Sequence, residues 1–591
     1  MKRLLSIFLI LALCLGLFGC SRRSEPMLPA SEAAQHPKTK EEIARAEAEI
    51  RYAISLLLDR NYIVDRISQA GEQPASSFVA MGMADYEGEF YEHAGNSQDF
   101  YGYFNTDAFA ENFREAVGIL QKYYDFNGRE FLNFPTVTYI YNTNNKNKAT
   151  AEYVQAALKL VGIPVVLENQ EWNSFLSTRK SGAFTMARSG WVADYTDPIC
   201  FLEMWVSNSG NNDIQLGRGE HGELSIYSLD LRPYGYEIVV ETGTWAETYD
   251  VLIETVKQCP DPETRYALMH LAEDMLMSTG CVVPLFFYTD LYMISPRVSG
   301  FYSNPLGYKY FHKTQVDGKT DSLSVCLSSE PESIDPALNS TVDGATLLTH
   351  LFSGLAKWEQ GTDGKLEIVP DCAEALPDGM VNPDGTVTYT YKLKENLRWS
   401  DGKALTAHDF VYGWKRAAST DLGGDYSYLF EVIQGYPDNL AVSAVDDRTF
   451  QVTLSGPISY WNEMLAFPAF CPVRADVTGN EAWATEAATY IGNGPYRLAA
   501  WDHDSVITLV KNENYHSKDQ VTMETIRFYL SSDANNMLTN FQNGDWLLID
   551  DVPADEIQSL KQKYPDSFRI SGQIGTNYLC WNVNAPLLPS E

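Results

Sequence analysis

The sequence predicts an α/β protein with two or three domains. Residues 136–141 alternate as a strand does, residues 149–161 carry apolar side chains at helical spacing, and residues 165–167 begin a second strand. A strand, a helix and a strand in this order indicate a parallel layer with a helical crossover. The chain has 591 residues, which is more than a single hydrophobic core usually supports.

Composition favours a globular protein that does not bind nucleic acid. Apolar residues make up 45% of the chain and aromatic residues 13%, as in a well-packed protein. The formal net charge is -34, and a surface of this sign repels the phosphates of nucleic acid.

Residues 1–20 have the pattern of a targeting segment. Lys2 and Arg3 precede an apolar run at residues 4–18, which is shorter than the roughly 20 residues that a membrane-spanning helix needs. The run ends in Leu-Phe-Gly-Cys and resembles a bacterial lipoprotein signal with Cys20 as the lipidated residue. The alternative is an ordinary cleaved signal with an incidental cysteine. Residues 21–40 lack periodicity and predict a flexible tether, so we expect a protein held by its lipid on the outer face of the cytoplasmic membrane.

The cysteines predict neither a disulfide framework nor a zinc site. Of the nine cysteines, Cys14 and Cys20 belong to the signal, which leaves seven without a CxxC pair. Most should be small buried apolar residues. His270 and Glu273 lie one helical turn apart, but no second histidine has ligand spacing. We therefore predict no metal site and no cofactor.

Further elements follow along the chain. Apolar periodicity predicts helices near residues 41–57, 110–124 and 264–277, and an apolar strand at 282–288. Residues 312–320 are polar and predict a linker. Residues 386–393 alternate as a strand, and Thr406 with Asp409 forms a capping box that starts a helix at 407–416.

The stretch from residue 169 to 198, NQEWNSFLSTRKSGAFTMARSGWVADYTDP, concentrates the candidate site residues. Residues 184–192 predict a buried strand, and Gly190 lets a backbone approach a ligand closely. Asp194 follows in an apolar setting, where a carboxylate needs a cationic partner. One interpretation is an internal ion pair with Arg188 or Arg179. The other is a ligand site in which Asp194 binds an ammonium, the arginines bind a carboxylate, and tryptophans form the walls.

This stretch resembles the ligand-binding segment of extracellular oligopeptide-binding proteins, the solute receptors of peptide ABC importers. A second block, YKLKENLRWSDGKALTAHDFVYGWKR, resembles the signature of the same family, and DDRTFQVTL, NGPYRL and TNYLCWNVN are further matches. The resemblance implies a two-lobed type II periplasmic-binding-protein fold with an extra domain, in which the ligand lies between the lobes.

The resemblance also implies roles for single residues. Asp194 would anchor the amino terminus of a peptide, and Gly190 and Val192 would offer main-chain groups to a peptide held as an added strand. The other positions that match the family's site are Arg179, Arg188, Trp172 and Trp191, with Glu330 and Tyr428 contributed by the other lobe. For Tyr428 the alternative is core packing, and for Glu330 it is a surface acid.

The matching blocks stand in exchanged order, which predicts a circular permutation. Residues 41–280 match the family's second half and would form one lobe, to which 576–586 return. Residues 281–311 would lead back to the other lobe, 312–320 would link the old ends, and 321–575 would form the other lobe with an extra domain at about 357–490.

We therefore expect a monomeric receptor that binds peptides and delivers them to an ABC transporter permease. An enzyme is not predicted, because the chain has no GxSxG, GxxxxGK[ST] or HExxH motif. The alternatives are a receptor of the same fold for nickel, a sugar or a haem-like solute, and a surface hydrolase that uses Asp194 with Glu171.

Overall fold

The computed structural model describes residues 28–32, 35–328, 330–331, 333–480 and 482–589. The predicted signal and the predicted lipidation site at Cys20 lie outside the described residues. None of the helices in the described part of the chain has the length and apolar character that crossing a membrane would require.

A mixed sheet of 11 strands forms the centre of the molecule. Ten of its strands follow one another in the order Tyr496–Asp502, Val506–Lys511, Thr525–Leu530, Leu323–Leu327, Leu548–Ile549, Val282–Ile294, Phe568–Trp581, Met186–Val192, Val137–Asn142 and Val165–Gln170, and Gln73–Pro74 pairs with Val282–Ile294 at the side. The strand, helix and strand predicted around residues 136–167 are confirmed, because Val137–Asn142 pairs in parallel with Val165–Gln170 and Asn145–Lys159 is the connecting helix.

Two long antiparallel strands join the halves of this sheet into a two-lobed protein. Val282–Ile294 has 13 residues and Phe568–Trp581 has 14. At one end of the pair, Leu548–Ile549 bonds to Met293 and Ile294. At the other end, residues 575–581 bond to Met186–Val192. The two strands therefore run through both lobes, and each lobe builds its own side of the sheet onto them.

Helices cover both lobes. The longer ones on the side of Met186–Val192 are Lys40–Leu56, Phe109–Leu120, Asn145–Lys159, Trp172–Lys180, Val251–Gln258 and Pro262–Ser278. Those on the other side are Val342–Leu351, Ala407–Ala418, Ala534–Asn543 and Ile557–Lys563. A separate four-stranded sheet of Met380–Val381, Val387–Lys392, Thr449–Leu454 and Val442–Asp446 packs next to Ala407–Ala418.

Several local predictions are confirmed by these elements. The helix Ala407–Ala418 begins with the capping box of Thr406 and Asp409. Pro262–Ser278 begins where the Asp261 side chain accepts the backbone N–H of Thr264, which satisfies one of the donors that a helix start leaves free. The seven cysteines within the described residues are all free, and six of them are buried.

Two segments are more ordered than their composition suggests. Residues 312–320 contain the strand Gln315–Val316, which pairs with Val298–Ser299. In the described part of the predicted tether, Ser31 donates a backbone hydrogen bond of 3.0 Å to Phe126. Polar composition predicts that a segment is exposed to solvent, but it gives no information on backbone hydrogen bonds to residues far along the chain. Neither contact could therefore be predicted from the sequence.

Candidate functional site: a cleft between the lobes

A cleft of about 860 Å³ lies between the two lobes. One wall comes from the segment of residues 171–194 and the other from residues 306–309, 339–345 and 530–551. Both long crossing strands also contribute, through residues 286–291 and 577–578. The stretch that the sequence singled out therefore lines this cleft between the lobes.

The strand Met186–Val192 presents an unpaired edge to this cleft. It pairs with Phe568–Trp581 along its whole length, but with Val137–Asn142 only at Met186 and Ala187. The Ala193 N–H donates to Ile574 O at 2.8 Å, and the direction of main-chain groups alternates along a strand. The N–H and C=O groups of Gly190 and Val192 therefore point to the open side, and both residues line the cleft.

Residue 190 has to be a glycine because its backbone lies close to the Tyr288 side chain. A Cβ atom at this position would lie 2.1 Å from the hydroxyl oxygen of Tyr288. The same hydroxyl receives hydrogen bonds from Arg188 at 3.1 Å and from Asn577 at 3.0 Å. Any side chain at residue 190 would displace Tyr288 and disturb the unpaired edge.

Asp194 lies just beyond the end of this strand with an incomplete set of partners. It is 8% exposed, and the Tyr426 hydroxyl donates to its Oδ1 at 3.1 Å. Its Oδ2 is buried and has no hydrogen-bond partner in the described residues. Burial, with a smaller contribution from the negative charge of Glu203, raises the pKa of Asp194 well above its ordinary value, although the Tyr426 bond opposes this.

Aromatic side chains surround Asp194. The rings of Trp191 and Tyr426 are 6.2 Å apart, and Phe467 meets Tyr426 edge-on at 4.7 Å. Trp191 is buried and donates its indole N–H to Cys200 O at 3.1 Å. Trp172 is half-buried at the cleft, and its indole nitrogen has no partner among the described residues. Trp191, Tyr426 and Phe467 form an aromatic cluster that contacts the Asp194 carboxylate through Tyr426, whereas Trp172 is a further ring in the lining of the cleft.

The two predicted arginines differ in their surroundings. Arg179 forms an ion pair of 2.5 Å with Asp213, which is buried, and the Arg179 side chain is 12% exposed. Arg188 contacts the Tyr288 hydroxyl, has no carboxylate within ion-pair distance in the described structure, and keeps a buried Nε without a partner. Neither arginine pairs with Asp194, so the internal ion pair considered from the sequence does not form. Among the described residues that line the cleft, Arg188 is thus a cationic side chain without a carboxylate partner.

Glu330 lines the cleft but is held by its own lobe. Its Oε1 accepts from the Trp501 indole at 2.7 Å and from His503 Nδ1 at 2.8 Å, and its Oε2 accepts from the Asp504 N–H at 3.1 Å. These three bonds join Glu330 to the hairpin of Tyr496–Asp502 and Val506–Lys511, and give it a defined position in the wall.

Tyr428 is 1% exposed and does not reach the cleft surface, whereas Tyr426 does. Their rings are 6.1 Å apart. Sequence reasoning singled out Tyr428 and missed Tyr426, Asp213 and Tyr288. The alternating tyrosines in the DYSYL motif were a signal for Tyr426, but which of the two faces the ligand depends on how the turn before residues 427–432 is placed.

Polar contacts hold the lobes together across the cleft. Lys146 pairs with Asp551 at 2.8 Å. The N–H and hydroxyl of Thr196 donate to the Glu463 carboxylate at 2.6 and 2.7 Å. This arrangement is a closed one, in which a ligand in the cleft would be surrounded by both lobes.

Comparison with known proteins identifies the class. The family model of bacterial extracellular solute-binding proteins, family 5, matches residues 38–213 and 367–590. The chain belongs to this family, and its two-lobed α/β architecture is the type II periplasmic-binding fold predicted above.

Its relatives include peptide-binding proteins. The dipeptide-binding protein DppE of Bacillus subtilis is 34% identical over 279 residues, 46% of this chain and 49% of the relative. The oligopeptide-binding protein OppA of the same organism is 32% identical over 266 residues, which are 42% of this chain and 47% of the relative. Among solved structures, Listeria monocytogenes OppA bound to peptide is 30% identical over 39% of this chain and 46% of that one, with a TM-score of 0.35. The chain thus spans about half the length of the curated relatives it matches.

Proposed function

We propose that this protein is an extracellular receptor that binds peptides between its lobes and delivers them to an ABC importer. The observation that carries the proposal is the buried Oδ2 of Asp194, which has no partner and lies beside an unpaired strand edge. A buried carboxylate without a counter-charge is unstable. The α-ammonium group of a peptide would supply that charge.

The rest of the peptide would be held mainly through its backbone. It would add a strand to the open edge at Gly190 and Val192, a mode in which main-chain bonds supply affinity without reading sequence. Arg188 would bind the peptide carboxylate or an acidic side chain, since guanidinium and carboxylate groups form strong paired bonds. Trp172, Trp191 and the enclosed volume would accommodate side chains of different kinds, with water filling what remains.

Other ligands fit the cleft less well. The described residues that line it include no histidine and no cysteine, and these are the side chains that bind nickel or a haem iron most readily. A sugar would leave the Asp194 charge uncompensated. A hydrolase would need Asp194 and Glu171 to act on a bond between them, whereas Glu171 is exposed and accepts a hydrogen bond of 3.1 Å from Thr143.

The proposal extends to attachment at the membrane. A lipid on Cys20 would tether the receptor beside the permease, and the receptor would act as a monomer. Replacing Cys20 with Ser should release the protein from the membrane fraction without changing peptide affinity. Retention of the variant in membranes would contradict the anchor.

We further propose that the two halves of the family sequence are exchanged in this chain. The family matches fall in two separate segments, 38–213 and 367–590. Leu587 lies beside the first long helix, since its N–H donates to Glu47 Oε1 at 2.9 Å. A direct connection between these two regions, as in an unpermuted relative, would therefore be short.

The ligand can be identified directly. Mass spectrometry of the molecules released when the purified protein is denatured should find peptides, and the same peptides should rebind unchanged in calorimetry. Recovery of a metal complex or a sugar, or peptides cleaved on incubation, would contradict the proposed function.

A further inference from the structure

We propose that Asp85, His93 and His270 form a zinc site outside the peptide cleft. The three residues come from a loop, from the short helix Phe90–His93 and from the helix Pro262–Ser278. None of them lines the cleft. The inference is independent of the proposed peptide-binding function.

The potential ligand atoms converge on one point. Asp85 Oδ2 lies 2.6 Å from His93 Nδ1 and 2.9 Å from His270 Nε2. All three ligand atoms lie within 4.8 Å of one another. In a tetrahedral zinc site with bonds of about 2.0–2.2 Å, ligand atoms are about 3.3 Å apart. To admit the ion, Asp85 Oδ2 would have to move away from His93 Nδ1 by about 0.7 Å and from His270 Nε2 by about 0.4 Å.

Two of the three ligands are held in place before any metal binds. The Asp85 side chain is 5% exposed, and its Oδ1 accepts the Tyr86 N–H at 2.7 Å. The His270 ring stacks on Phe90 with 3.8 Å between ring centroids. The His93 side chain is 51% exposed, so it can move outward to enlarge the site, and it leaves a fourth coordination position open to solvent.

The chemistry of the donors suits zinc better than calcium or magnesium. Two imidazoles and one carboxylate are a ligand set that zinc accepts, with water in the fourth position. Calcium and magnesium prefer six or more oxygen ligands, which this group does not offer. Without metal, both rings can donate to the same carboxylate oxygen. When His270 Nε2 binds the ion, the ring proton moves to Nδ1, which is buried and has no partner in the described residues, so metal binding also has to offset the cost of this unpaired N–H group.

The site would fasten a long irregular segment to the body of the lobe. Between Gln73–Pro74 and Phe109–Leu120 the helix Phe90–His93 is the one regular element that the structure describes. This segment contacts the crossing strand, because the Thr576 hydroxyl donates to Phe78 O at 2.8 Å. Zinc bound at its middle would raise the stability of this lobe.

Metal analysis of the full-length protein tests the site. After dialysis against EDTA and titration with Zn²⁺, the wild type should bind one equivalent and melt at a higher temperature. Co²⁺ in its place should give the visible absorption of a tetrahedral ion. His93→Ala and Asp85→Asn should each weaken Zn²⁺ binding at least tenfold and abolish the shift in melting temperature. His408→Ala, at a histidine that is 67% exposed on another helix, should change neither.

His93→Ala decides the outcome if Asp85→Asn does not fold, since the half-exposed ring of His93 contributes little to packing. Absence of Zn²⁺ binding by the wild type, or binding by His93→Ala that is as tight as in the wild type, would overturn the proposal. Tetrahedral cobalt absorption that persists in His93→Ala would also overturn it.

Discussion

The hydroxyl of Tyr426 donates a hydrogen bond of 3.1 Å to Oδ1 of Asp194, and the two residues belong to opposite lobes. This hydrogen bond joins the lobes at the point where the ligand is proposed to begin. It satisfies one carboxylate oxygen and leaves the other for a cation. Closure of the lobes and capture of an ammonium group would therefore stabilise each other.

Arg188 and Arg179 should respond differently to substitution by Met. Arg188→Met removes the cation without a carboxylate partner, so affinity for a free-acid peptide should fall by about 10- to 100-fold, since charge-assisted bonds contribute about 1.5–3 kcal/mol. Affinity for the amidated peptide should change little. Calorimetry with both peptides measures the ratio of the affinity for the free-acid peptide to the affinity for the amidated peptide.

Arg179→Met is the matched control. It leaves Asp213 buried without its partner, so the free energy of unfolding should fall by roughly 3–5 kcal/mol, while the ratio of free-acid to amidated affinities stays as in the wild type. The same change of ratio in both variants would contradict the distinct roles.

Gly190→Ala should weaken binding of all peptides regardless of sequence, because the new methyl group would lie 2.1 Å from the Tyr288 hydroxyl. Adding Tyr288→Phe removes that hydroxyl and should restore much of the affinity. Calorimetry on the wild type, Tyr288→Phe, Gly190→Ala and the double variant measures the coupling between the two sites. Equal losses in the single Gly190→Ala variant and in the double variant would contradict the steric account.

Glu273 should make the protein less stable as the pH rises. Burial raises its pKa from 4.5 to about 8, although the N–H groups of Phe78 and Val79 donate to it. The folded state therefore favours the protonated form. The contribution of Glu273 to the free energy of unfolding is fully present below about pH 4.5. It is lost as the pH rises towards 8, at up to about 1.4 kcal/mol per pH unit. Melting temperatures of Glu273→Gln should depend less steeply on pH in this window than those of the wild type. Parallel curves would contradict the shifted pKa.

The crossing strand Phe568–Trp581 should be among the slowest-exchanging parts of the backbone. Residues 576–580 pair with strands on both sides, and Tyr578, Leu579 and Trp581 are buried. Hydrogen exchange should be slow at residues 576–580 without peptide and slower with it. A protein that ends at Gly575 should lose peptide binding. Rapid exchange in both states would contradict a structural role for this strand and the proposed exchange of halves.

How much the sequence could predict depends on the range of the interaction. The strand Met186–Val192 and the helix Pro262–Ser278 follow from local periodicity and capping, and the structure contains both. The ion pair of Arg179 and Asp213 could not be predicted, because Arg179 is on a helix and Asp213 is in a distant loop. Sequence periodicity relates only residues within the same helix or strand.

The cluster around His270 shows the same limit. Its partner His93 does not have ligand spacing in the sequence, and only the folded segment brings the two rings to one carboxylate. The resemblance to the peptide receptors placed Asp194 in the site, but the identity of its aromatic partner, Tyr426, depends on tertiary packing.

The central claim, that Asp194 binds the α-ammonium group of a peptide, is tested most directly by calorimetry with trialanine and N-acetyltrialanine. Loss of one member of a buried charge pair costs roughly 3–5 kcal/mol, so acetylation should weaken binding by at least about 100-fold in the wild type. In Asp194→Asn the two affinities should become similar. Affinity of the wild type for trialanine should also fall as the pH is lowered through the raised pKa of Asp194. Equal affinities of the wild type for both peptides, or normal binding of trialanine by Asp194→Asn, would contradict the account.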